Sequence, residues 1–387
     1  MDEWQEFAKK ELEREIFVQT YDDGFDYEAS TAYHRLVTEI YFYFFFLSKE
    51  SEPLFVERLQ KMWDMILHLV HGDGQISLIG DNDSGRIFSL MTRDDADMKY
   101  LLNLGAVQFK RPDMAVIGWE HTSEILLLFG MSGWAYLNEN KSLRKDHLPQ
   151  TQRGGSGLFA LRKPGAALLF CAQSNGTQGV GNHTHNDKLA ITLHIEGDDF
   201  FIDPGTIVYT PDPYLRNRMR STRSHNTVMV DVTEQNKMDE KSLFTLGTDA
   251  KVTVEKFIPG VCLQATHSGY ERLKDPVTHR RTLTASADGV EWELLDELVG
   301  CDEHQLEWTY ILGPKIRPEL VSPQQIKFYG EAGFVSMVLP ASTFKTEIIN
   351  WMVGPCYGKA AVTKALKIDF QSKLPLKMSI LLSWTRK

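Results

Sequence analysis

The sequence predicts an α+β protein in which a helical domain, residues 1–148, precedes a large antiparallel β-sandwich, residues 149–387. Apolar residues recur at helical spacing before about residue 145, whereas short apolar runs alternate with glycine and proline after about residue 150. A chain of 387 residues also exceeds the usual length of a single domain. We therefore expect two domains of different secondary structure.

The predicted helices have recognisable starts and stops. The first segment, WQEFAKKELEREIFVQT, has helical spacing and ends before the turn YDDG. Ser30 or Thr31 can cap the second helix, AYHRLVTEIYFYFFFLSKE, and Pro53 fits the first turn of the third. A loop rich in Gly, Asp and Asn follows, GDGQISLIGDNDSGR.

The second half contains many short strand-like runs that are separated by turn residues. Examples are VTVEKFIPGVCLQATHSGY, THRRTLTASADGVEWELLDELVG and QLEWTYILGP. This pattern is typical of an antiparallel sandwich or a barrel-like sheet. A linker near HLPQTQRGGSG separates the two halves.

Composition and charge exclude several classes of protein. Lys and Arg number 42 against 52 Asp and Glu, and the net charge of -10 argues against a general nucleic-acid binder. The four cysteines show no metal-site spacing, and the longest apolar cluster, IYFYFFFLS, is too short to span a bilayer. The N-terminal segment has no apolar signal-peptide core, so both periplasmic and cytoplasmic locations stay open.

The most informative stretch lies between residues 182 and 227, where histidines and carboxylates are concentrated. His183 and His185 are two apart, so we expect both side chains on the same face of a strand. Asp203 follows the apolar run FFI, and His225 opens a third strand-like run. Two histidines and one aspartate on neighbouring strand ends form a set of nitrogen and oxygen ligands that suits zinc. Hydrogen bonding among these side chains without a metal is the alternative.

The same stretch carries residues that suit an anionic substrate. Four arginines lie within eight positions, at Arg216, Arg218, Arg220 and Arg223. Arginine binds carboxylates and sulfates in a bidentate manner, although intramolecular pairing in a solvated loop is an equal alternative. Tyr209 could stack on a sugar ring, and Arg86, in the loop GDNDSGR, is a further candidate substrate contact.

These motifs resemble the heparinase II/III-like family of polysaccharide lyases. The resemblance rests on four segments: His183-x-His185-Asn186-Asp187, Asp203-Pro204-Gly205-Thr206 with Tyr209, Ser224-His225-Asn226-Thr227, and Glu28-Ala29-Ser30 followed by Tyr33-His34. The family fold is an α/α toroid followed by a large antiparallel β-sandwich. The resemblance therefore implies a partial α/α toroid in residues 1–148, because a full toroid needs about twice the helices. A chain that covers only the C-terminal part of a longer protein is the expected explanation, and a naturally shortened relative is the alternative.

The resemblance also implies a chemistry and a role for each residue. The expected reaction is β-elimination on an acidic, uronate-containing polysaccharide, with Tyr33 as proton-transfer residue and His183 as its partner. His185, Asp203 and His225 are expected to hold a structural zinc ion, while Tyr209, Arg216, Arg220 and Arg86 are candidate substrate contacts. Two alternatives stay open: a glycan-binding or assembly protein of a surface-polysaccharide pathway without turnover, and an oxygenase with iron on the same ligands.

Overall fold

The computed structural model describes residues 2–48, 51–88, 90–115, 123–140 and 155–387. These residues form two compact units: one holds the described residues up to Asn140 together with Gly155 and Ser156, and the other runs from Gly157 to Lys387. The predicted linker at 147–157 falls mostly outside the described residues, so the boundary at 148/149 stays a prediction. Across the described ranges, no helix has the length and apolar character needed to cross a bilayer.

The helical unit contains five helices in its described ranges, followed through the chain as α1 to α5. Their bounds are Asp2–Val18, Thr31–Ser48, Pro53–Leu69, Lys99–Phe109 and Ser123–Asn140, with a short 3-10 turn at Pro112–Met114. The fifth helix is broken at Gly130, whose φ of 60° lies outside the helical range. Proline opens α3 as expected, because the missing N–H of Pro53 costs nothing in the first turn.

The second, third and fourth helices pack tightly around Trp63. Its ring meets Phe42 edge to face at 5.5 Å, and its Nε1 donates to the Leu101 carbonyl at 2.7 Å. Gly105 makes the close approach possible, because a Cβ atom there would lie 2.2 Å from Trp63 Cδ1. A glycine inside a helix costs about 1 kcal/mol relative to alanine, and here it permits close helix packing.

The first turn of α2 is tied to the loop that precedes α4. Ser30 caps the helix by accepting from the Tyr33 amide at 3.4 Å, and its hydroxyl donates to the Asp81 carbonyl. Thr31 Oγ1 donates to the Ser77 carbonyl at 2.9 Å and accepts from the Ile79 amide at 2.9 Å. These bonds hold the loop around residues 77–86 beside the start of α2, where Tyr33 lies.

The sheet unit contains sixteen strands and one helix. The strands, β1 to β16, are Leu158–Lys163, Ala166–Cys171, Ile191–Ile195, Asp198–Phe201, Val228–Val230, Val252–Ile258, Cys262–Tyr270, Val277–Ala285, Glu291–Val299, Glu303–Ile311, Arg317–Ser322, Gln325–Tyr329, Gly333–Val338, Lys345–Cys356, Lys359–Lys373 and Leu376–Arg386. The helix, α6, is Pro213–Met219. The expectation of an α+β chain with helices first and antiparallel sheets second is confirmed.

All strands pair antiparallel, in three sheets. The first has the order β1-β2-β3-β4, the second β14-β15-β10-β5, and the third β11-β12-β13-β16-β9-β8-β7-β6. Burial alternates residue by residue along β8 and β9, so one face of each strand joins a common apolar core. The polar residues discussed below come from the ends of these strands and from the loops between them.

The buried face of β8 carries a charged residue that reaches the motif segments. Arg281 pairs with Asp296 of β9 through Nε and Nη2, at 2.6 and 2.7 Å, and both side chains are fully buried. Its Nη1 donates to the carbonyls of Leu189 and Asn226, at 2.7 and 2.8 Å. Burial alone would raise the pKa of Asp296, but Arg281 and His279 lower it below its ordinary value. A buried ion pair therefore fixes two of the three segments that carry the candidate metal ligands, those of His185 and His225.

Candidate metal centre and active-site residues

Three predicted ligands meet at the ends of strands in the sheet unit. His185 lies in the loop between β2 and β3, Asp203 follows β4, and His225 precedes β5. The His185 Nδ1 and His225 Nε2 atoms are 3.1 Å apart, and Asp203 Oδ2 lies 3.4 Å from His225 Nε2. All three ligand atoms fall within 4.8 Å of one another. We call these residues the metal trio.

The orientation of His225 favours metal binding. Its Nδ1 lies 2.8 Å from the Ser221 carbonyl, which can only accept, so Nδ1 carries the hydrogen. The Nε2 lone pair is then directed at Asp203 and His185. Burial, and secondarily the neighbouring His185, lower the pKa of His225 to about 3. The imidazole is therefore neutral at pH 7, which is the form that binds a metal ion.

The geometry of the metal trio fits a tetrahedral ion. Zinc bonds of 2.0–2.1 Å at tetrahedral angles separate neighbouring ligand atoms by about 3.3 Å. The His185–His225 and His225–Asp203 separations, 3.1 and 3.4 Å, agree with this value, and the His185–Asp203 separation is within 4.8 Å. The ligand types suit zinc, although two histidines and a carboxylate also suit iron. The residues present therefore fit a metal ion, and their ligand types suit both zinc and iron.

The position of Asp203 depends on the turn that follows it. Asp203 Oδ1 accepts from the Gly205 amide at 2.9 Å, which fixes the carboxylate. Gly205 has a φ of +65°, and a Cβ atom there would lie 2.5 Å from the Gly354 carbonyl oxygen. The Gly354 amide also donates to the Pro204 carbonyl at 2.8 Å. The Asp-Pro-Gly motif is thus explained by a backbone approach that only glycine permits.

The His183–His185 segment is not a strand, contrary to the expectation from its spacing. Residues 182–190 form turns and bends between β2 and β3. Hydrogen bonds of the Asn186 side chain, in place of strand pairing, hold this segment. Its Nδ2 donates to Glu234 and to the Asn236 carbonyl, both at 2.9 Å. Its Oδ1 accepts from the Asn236 amide at 3.0 Å. Contacts about fifty residues away in sequence therefore decide the conformation of this segment.

Asn226 performs a similar task beside His225. Its Nδ2 donates to the carbonyls of Ile191 and Ile202, at 2.7 and 2.9 Å, and its Oδ1 accepts from the Ile311 amide at 2.7 Å. One side chain thus joins β3, the end of β4 and the end of β10. These contacts support a structural role for both Asn186 and Asn226.

His183, Tyr209 and Arg216 are brought together next to the metal trio. The His183 and Tyr209 rings lie 6.4 Å apart, and the Arg216 guanidinium lies 5.4 Å from the Tyr209 ring. Arg216 Nη1 also lies 3.4 Å from His185 Nε2, and the residue is fully buried. Phe244 completes the group, 5.3 Å from Tyr209 and 5.7 Å from the Arg216 guanidinium.

Phe244 was not predicted, because nothing in its local segment LFTLG distinguishes it from an ordinary apolar residue. Tyr357 was missed for the same reason, and its ring lies 5.0 Å from that of Tyr209. Both residues are far from the motifs in sequence.

Arg220 has a different environment from Arg216. Like Arg216 it is fully buried, but its guanidinium donates to Asn217 Oδ1 at 2.9 Å and to the Thr245 and Ser242 carbonyls, at 2.8 and 3.0 Å. These contacts hold the segment after α6 against residues 239–245. They support a structural role for Arg220 in place of the expected substrate contact, because a ligand would have to displace several bonds from a buried cation.

Tyr33 lies in the first turn of α2, in the helical unit. Its hydroxyl donates to Asp83 Oδ2 at 2.8 Å, and Asp83 Oδ1 accepts from the Gly85 amide at 2.9 Å. The neighbouring His34 is fully buried, with Nε2 3.1 Å from the Met62 carbonyl, and burial lowers its pKa to about 4. His34 therefore supports the helix packing, while the half-buried Tyr33 is the residue with access to solvent.

Arg86 is largely enclosed in the helical unit. Only 8% of its side chain is exposed, and Nη1 lies 4.0 Å from Glu39 Oε1. Its guanidinium lies 4.9 Å from the Tyr100 ring, and Nη2 donates to the Asp94 carbonyl at 3.0 Å. This placement gives little support to the expected substrate contact by Arg86.

Comparison with known proteins agrees with the motifs. The family model described as heparinase II/III-like, C-terminal, matches residues 149–348, and the heparinase II/III N-terminus model matches residues 1–91. No curated protein sequence matches the chain.

Three solved structures share the fold. Heparan sulfate lyase HepC from Pedobacter heparinus is 18% identical with a TM-score of 0.73, and the match covers 100% of this chain and 56% of that chain. Two heparinase III structures are 16% and 14% identical with TM-scores of 0.75 and 0.73, covering all of this chain and 56% and 57% of theirs. The chain thus spans little more than half the length of these structures. Because the C-terminal model alone covers more than half of its residues, the chain belongs to the heparinase II/III-like family.

Proposed function

We propose that this protein acts on an acidic, uronate-containing glycan by β-elimination. The observation that carries the proposal is the group formed by His183, Tyr209 and the buried Arg216 beside the metal trio. An imidazole, a phenol ring and an unusually enclosed cation are suited to bind a sugar that bears a carboxylate. One structural relative, HepC, is named as a heparan sulfate lyase, and this supports the same class of substrate.

The reaction sets three tasks for the protein. The proton at C5 must be accepted, its electron pair forms the C4–C5 double bond, and the C4–O bond breaks as the leaving oxygen takes a proton. Charge that develops on the uronate carboxylate must be stabilised, which is the role we assign to Arg216. We assign the proton transfers to Tyr33, with His183 as its partner.

The metal ion has a structural role in this proposal. It would be held by His185, Asp203 and His225 and would supply positive charge that fixes the segment bearing His183. His185 is separated from His183 by one residue, so any displacement of the ligand would also displace the candidate catalytic histidine. Zinc is the proposed ion.

A glycan-binding protein without turnover is the second candidate, and the contact between Tyr33 and Asp83 favours it. The Tyr33 hydroxyl donates to Asp83 Oδ2 at 2.8 Å, so its hydrogen is directed at a protein carboxylate instead of a substrate oxygen. Under this alternative the group around Arg216 binds the glycan, and no double bond is formed.

One experiment separates the two candidates. The purified protein is incubated with a panel of uronate polysaccharides, with and without sulfate, and the products are followed by ultraviolet absorbance and mass spectrometry. Unsaturated uronate ends are the expected result for β-elimination. Binding of a polysaccharide without such ends would reject the lyase proposal and support the alternative.

A further inference from the structure

A cleft lies on the face of α6 that is turned away from Arg216. At 3.6 residues per turn, Tyr214 and Arg218 fall about 40° apart around the helix, whereas Arg216 falls about 160° from both. The cleft has a volume of about 740 Å³. Its main lining residues, which define what we call the α6 cleft, are Tyr214, Arg218, Arg223, Met229, Glu234 and Trp351.

Arg218 brings a positive charge into the α6 cleft. Its guanidinium lies 5.2 Å from the centre of the Trp351 ring, a cation–π arrangement against a side chain that is only 7% exposed. Within the part of the chain that the structure describes, no carboxylate pairs with this guanidinium. The charge is therefore oriented by an aromatic ring and is still available to an anion.

Arg223 brings a second positive charge. Its Nε donates to Glu307 Oε1 at 2.6 Å, while 40% of its side chain is exposed. Glu307 also pairs with Lys367 at 2.9 Å, so one carboxylate is shared between two cations. In the described ranges the terminal nitrogens of Arg223 make no hydrogen bond. They are therefore available to bind an anionic group in a bidentate manner.

Two acidic residues, Glu234 and Glu240, also line the α6 cleft, and their roles differ from that of Glu307. Glu234 Oε2 is occupied by the Thr222 amide, the Thr222 hydroxyl and Asn186 Nδ2, at 2.7, 2.8 and 2.9 Å. Its carboxylate therefore serves the fold. Glu240 is exposed at the rim, where a carboxylate suits the hydroxyl groups of a sugar.

The rim also offers aromatic and apolar surface. Tyr214 is 78% exposed and Val232 is 60% exposed. Val232 has a φ of 54° and follows Asp231, whose φ is 49°, a conformation that is strained for a β-branched residue. Asp231 is held in place by His304 Nδ1 at 2.7 Å and by the Gln305 amide at 2.9 Å. The protein thus maintains an exposed apolar side chain at this rim at a conformational cost.

The combination of two arginines, an exposed aromatic ring, a rim carboxylate and apolar surface matches a sugar residue with an acidic group. We propose that the α6 cleft is a second anionic-sugar site, which binds another residue of the same acidic glycan on the opposite side of α6 from Arg216. The identity of the ligand as a glycan rests on the proposed function. The acidic group is a carboxylate or a sulfate ester, since arginine binds both.

The α6 cleft shares residues with the surroundings of the metal trio. The Ser221 carbonyl accepts from His225 Nδ1, and Ser221 lines the cleft. Glu234 is bonded to Asn186, the residue after His185. A glycan in the cleft would therefore contact the segments that position Arg216 and the metal ligands.

The test measures binding, so it does not depend on turnover. Size-defined uronate–glucosamine oligosaccharides, one series sulfated and one unsulfated, are titrated into the wild type, Arg218→Gln and Arg317→Gln by calorimetry. Arg317 is the matched control, because its guanidinium also lies over a ring, 4.3 Å from that of Tyr329, and 67% of its side chain is exposed. Tyr214→Ala is a second variant that removes an exposed side chain from the rim.

We expect Arg218→Gln to raise the Kd for the longer oligosaccharides about tenfold, since a lost charge-assisted contact has about this effect. Tyr214→Ala should raise it severalfold, and Arg317→Gln should leave it within about twofold. If sulfate is the group bound, Arg218→Gln will raise the Kd for the sulfated series only.

Failure of this inference is distinguishable from failure of the proposed function. Equal affinities for the wild type, Arg218→Gln and Tyr214→Ala, with turnover intact, would overturn the second site alone. Binding that depends on Arg218 without any unsaturated product would overturn β-elimination alone. No binding of either series to the wild type would overturn the second site as an anionic-sugar site.

Discussion

The metal trio and Tyr33 are held in place by different means. Buried side chains that bond to distant backbone segments fix the trio, through Asn186, Asn226 and the Arg281–Asp296 pair. Tyr33 lies at the start of a helix, and its hydroxyl is bonded to the half-buried Asp83. We therefore expect substitutions in the first region to lower the free energy of unfolding. Substitution of Tyr33 should lower activity with little effect on the fold.

The largest expected effect concerns Arg281. Arg281→Leu leaves Asp296 buried without its cation, so we expect a loss of about 3–5 kcal/mol in the free energy of unfolding. The measurement is chemical denaturation of both proteins. Arg280→Leu is the control, because Arg280 is the preceding residue on β8 and forms a part-exposed pair with Glu255, at 2.8 Å.

The control should cost about 1 kcal/mol or less. Similar losses for the two variants would show that the buried pair does not have the importance assigned to it.

The second effect concerns the metal ion. His185→Ala should abolish metal binding and lower the melting temperature, and chelation of the wild type should lower it similarly. A ligand present at a thousandfold excess over its Kd contributes about 4 kcal/mol to stability. Elemental analysis and calorimetry measure both quantities.

His304→Gln provides the control for metal content, because His304 pairs with Asp231 and Asp275 outside the metal trio. Full metal occupancy in His185→Ala would reject His185 as a ligand. Absence of any metal in the wild type, even after addition of zinc, would reject the site.

A smaller effect concerns pH. Burial opposes the charged form of His304, but its hydrogen bonds to Asp275 and Asp231 prevail and raise its pKa above the ordinary value. A histidine with a raised pKa stabilises the fold fully below about pH 6.5, and this contribution is lost as the pH rises through the raised value. Buried His34, with a pKa lowered to about 4, has the opposite sign and costs stability as the pH falls below about 6.5.

We therefore propose to measure the free energy of unfolding of the wild type and of His304→Gln between pH 5 and 9, and to take the difference between the two proteins at each pH. We expect this difference to shrink as the pH rises. A difference that grows with pH would contradict the assigned ion pairs.

The smallest effect on stability is expected for Tyr33→Phe. The variant loses one hydrogen bond of a half-buried group, which is worth about 1 kcal/mol. Denaturation compared with Arg281→Leu tests the contrast between the two regions directly. A loss of several kcal/mol would show that Tyr33 is a structural residue of the helix start.

Local pattern predicted the order of helices and sheets and the residues of the metal trio. Helical spacing and the cap at Ser30 depend on neighbours in sequence, and the His-x-His and Asp-Pro-Gly motifs are short. Features that local pattern does not predict arise from distant contacts. The loop at His185 is shaped by Asn236, and Arg220 is bound by carbonyls of residues 242–245. Nothing in the sequence near Arg281 indicates that it reaches Leu189 and Asn226.

The central claim, that Tyr33 transfers a proton in β-elimination, is tested most directly by the rate of formation of unsaturated uronate. The wild type, Tyr33→Phe and Tyr43→Phe are compared on the polysaccharide that the wild type degrades best. Tyr43 lies on the same helix, is mostly buried and packs against Phe88 at 4.6 Å, so it controls for loss of a hydroxyl from α2. We expect Tyr43→Phe to keep the wild-type rate and folded Tyr33→Phe to form no unsaturated product, whereas a wild-type rate in Tyr33→Phe would contradict the claim.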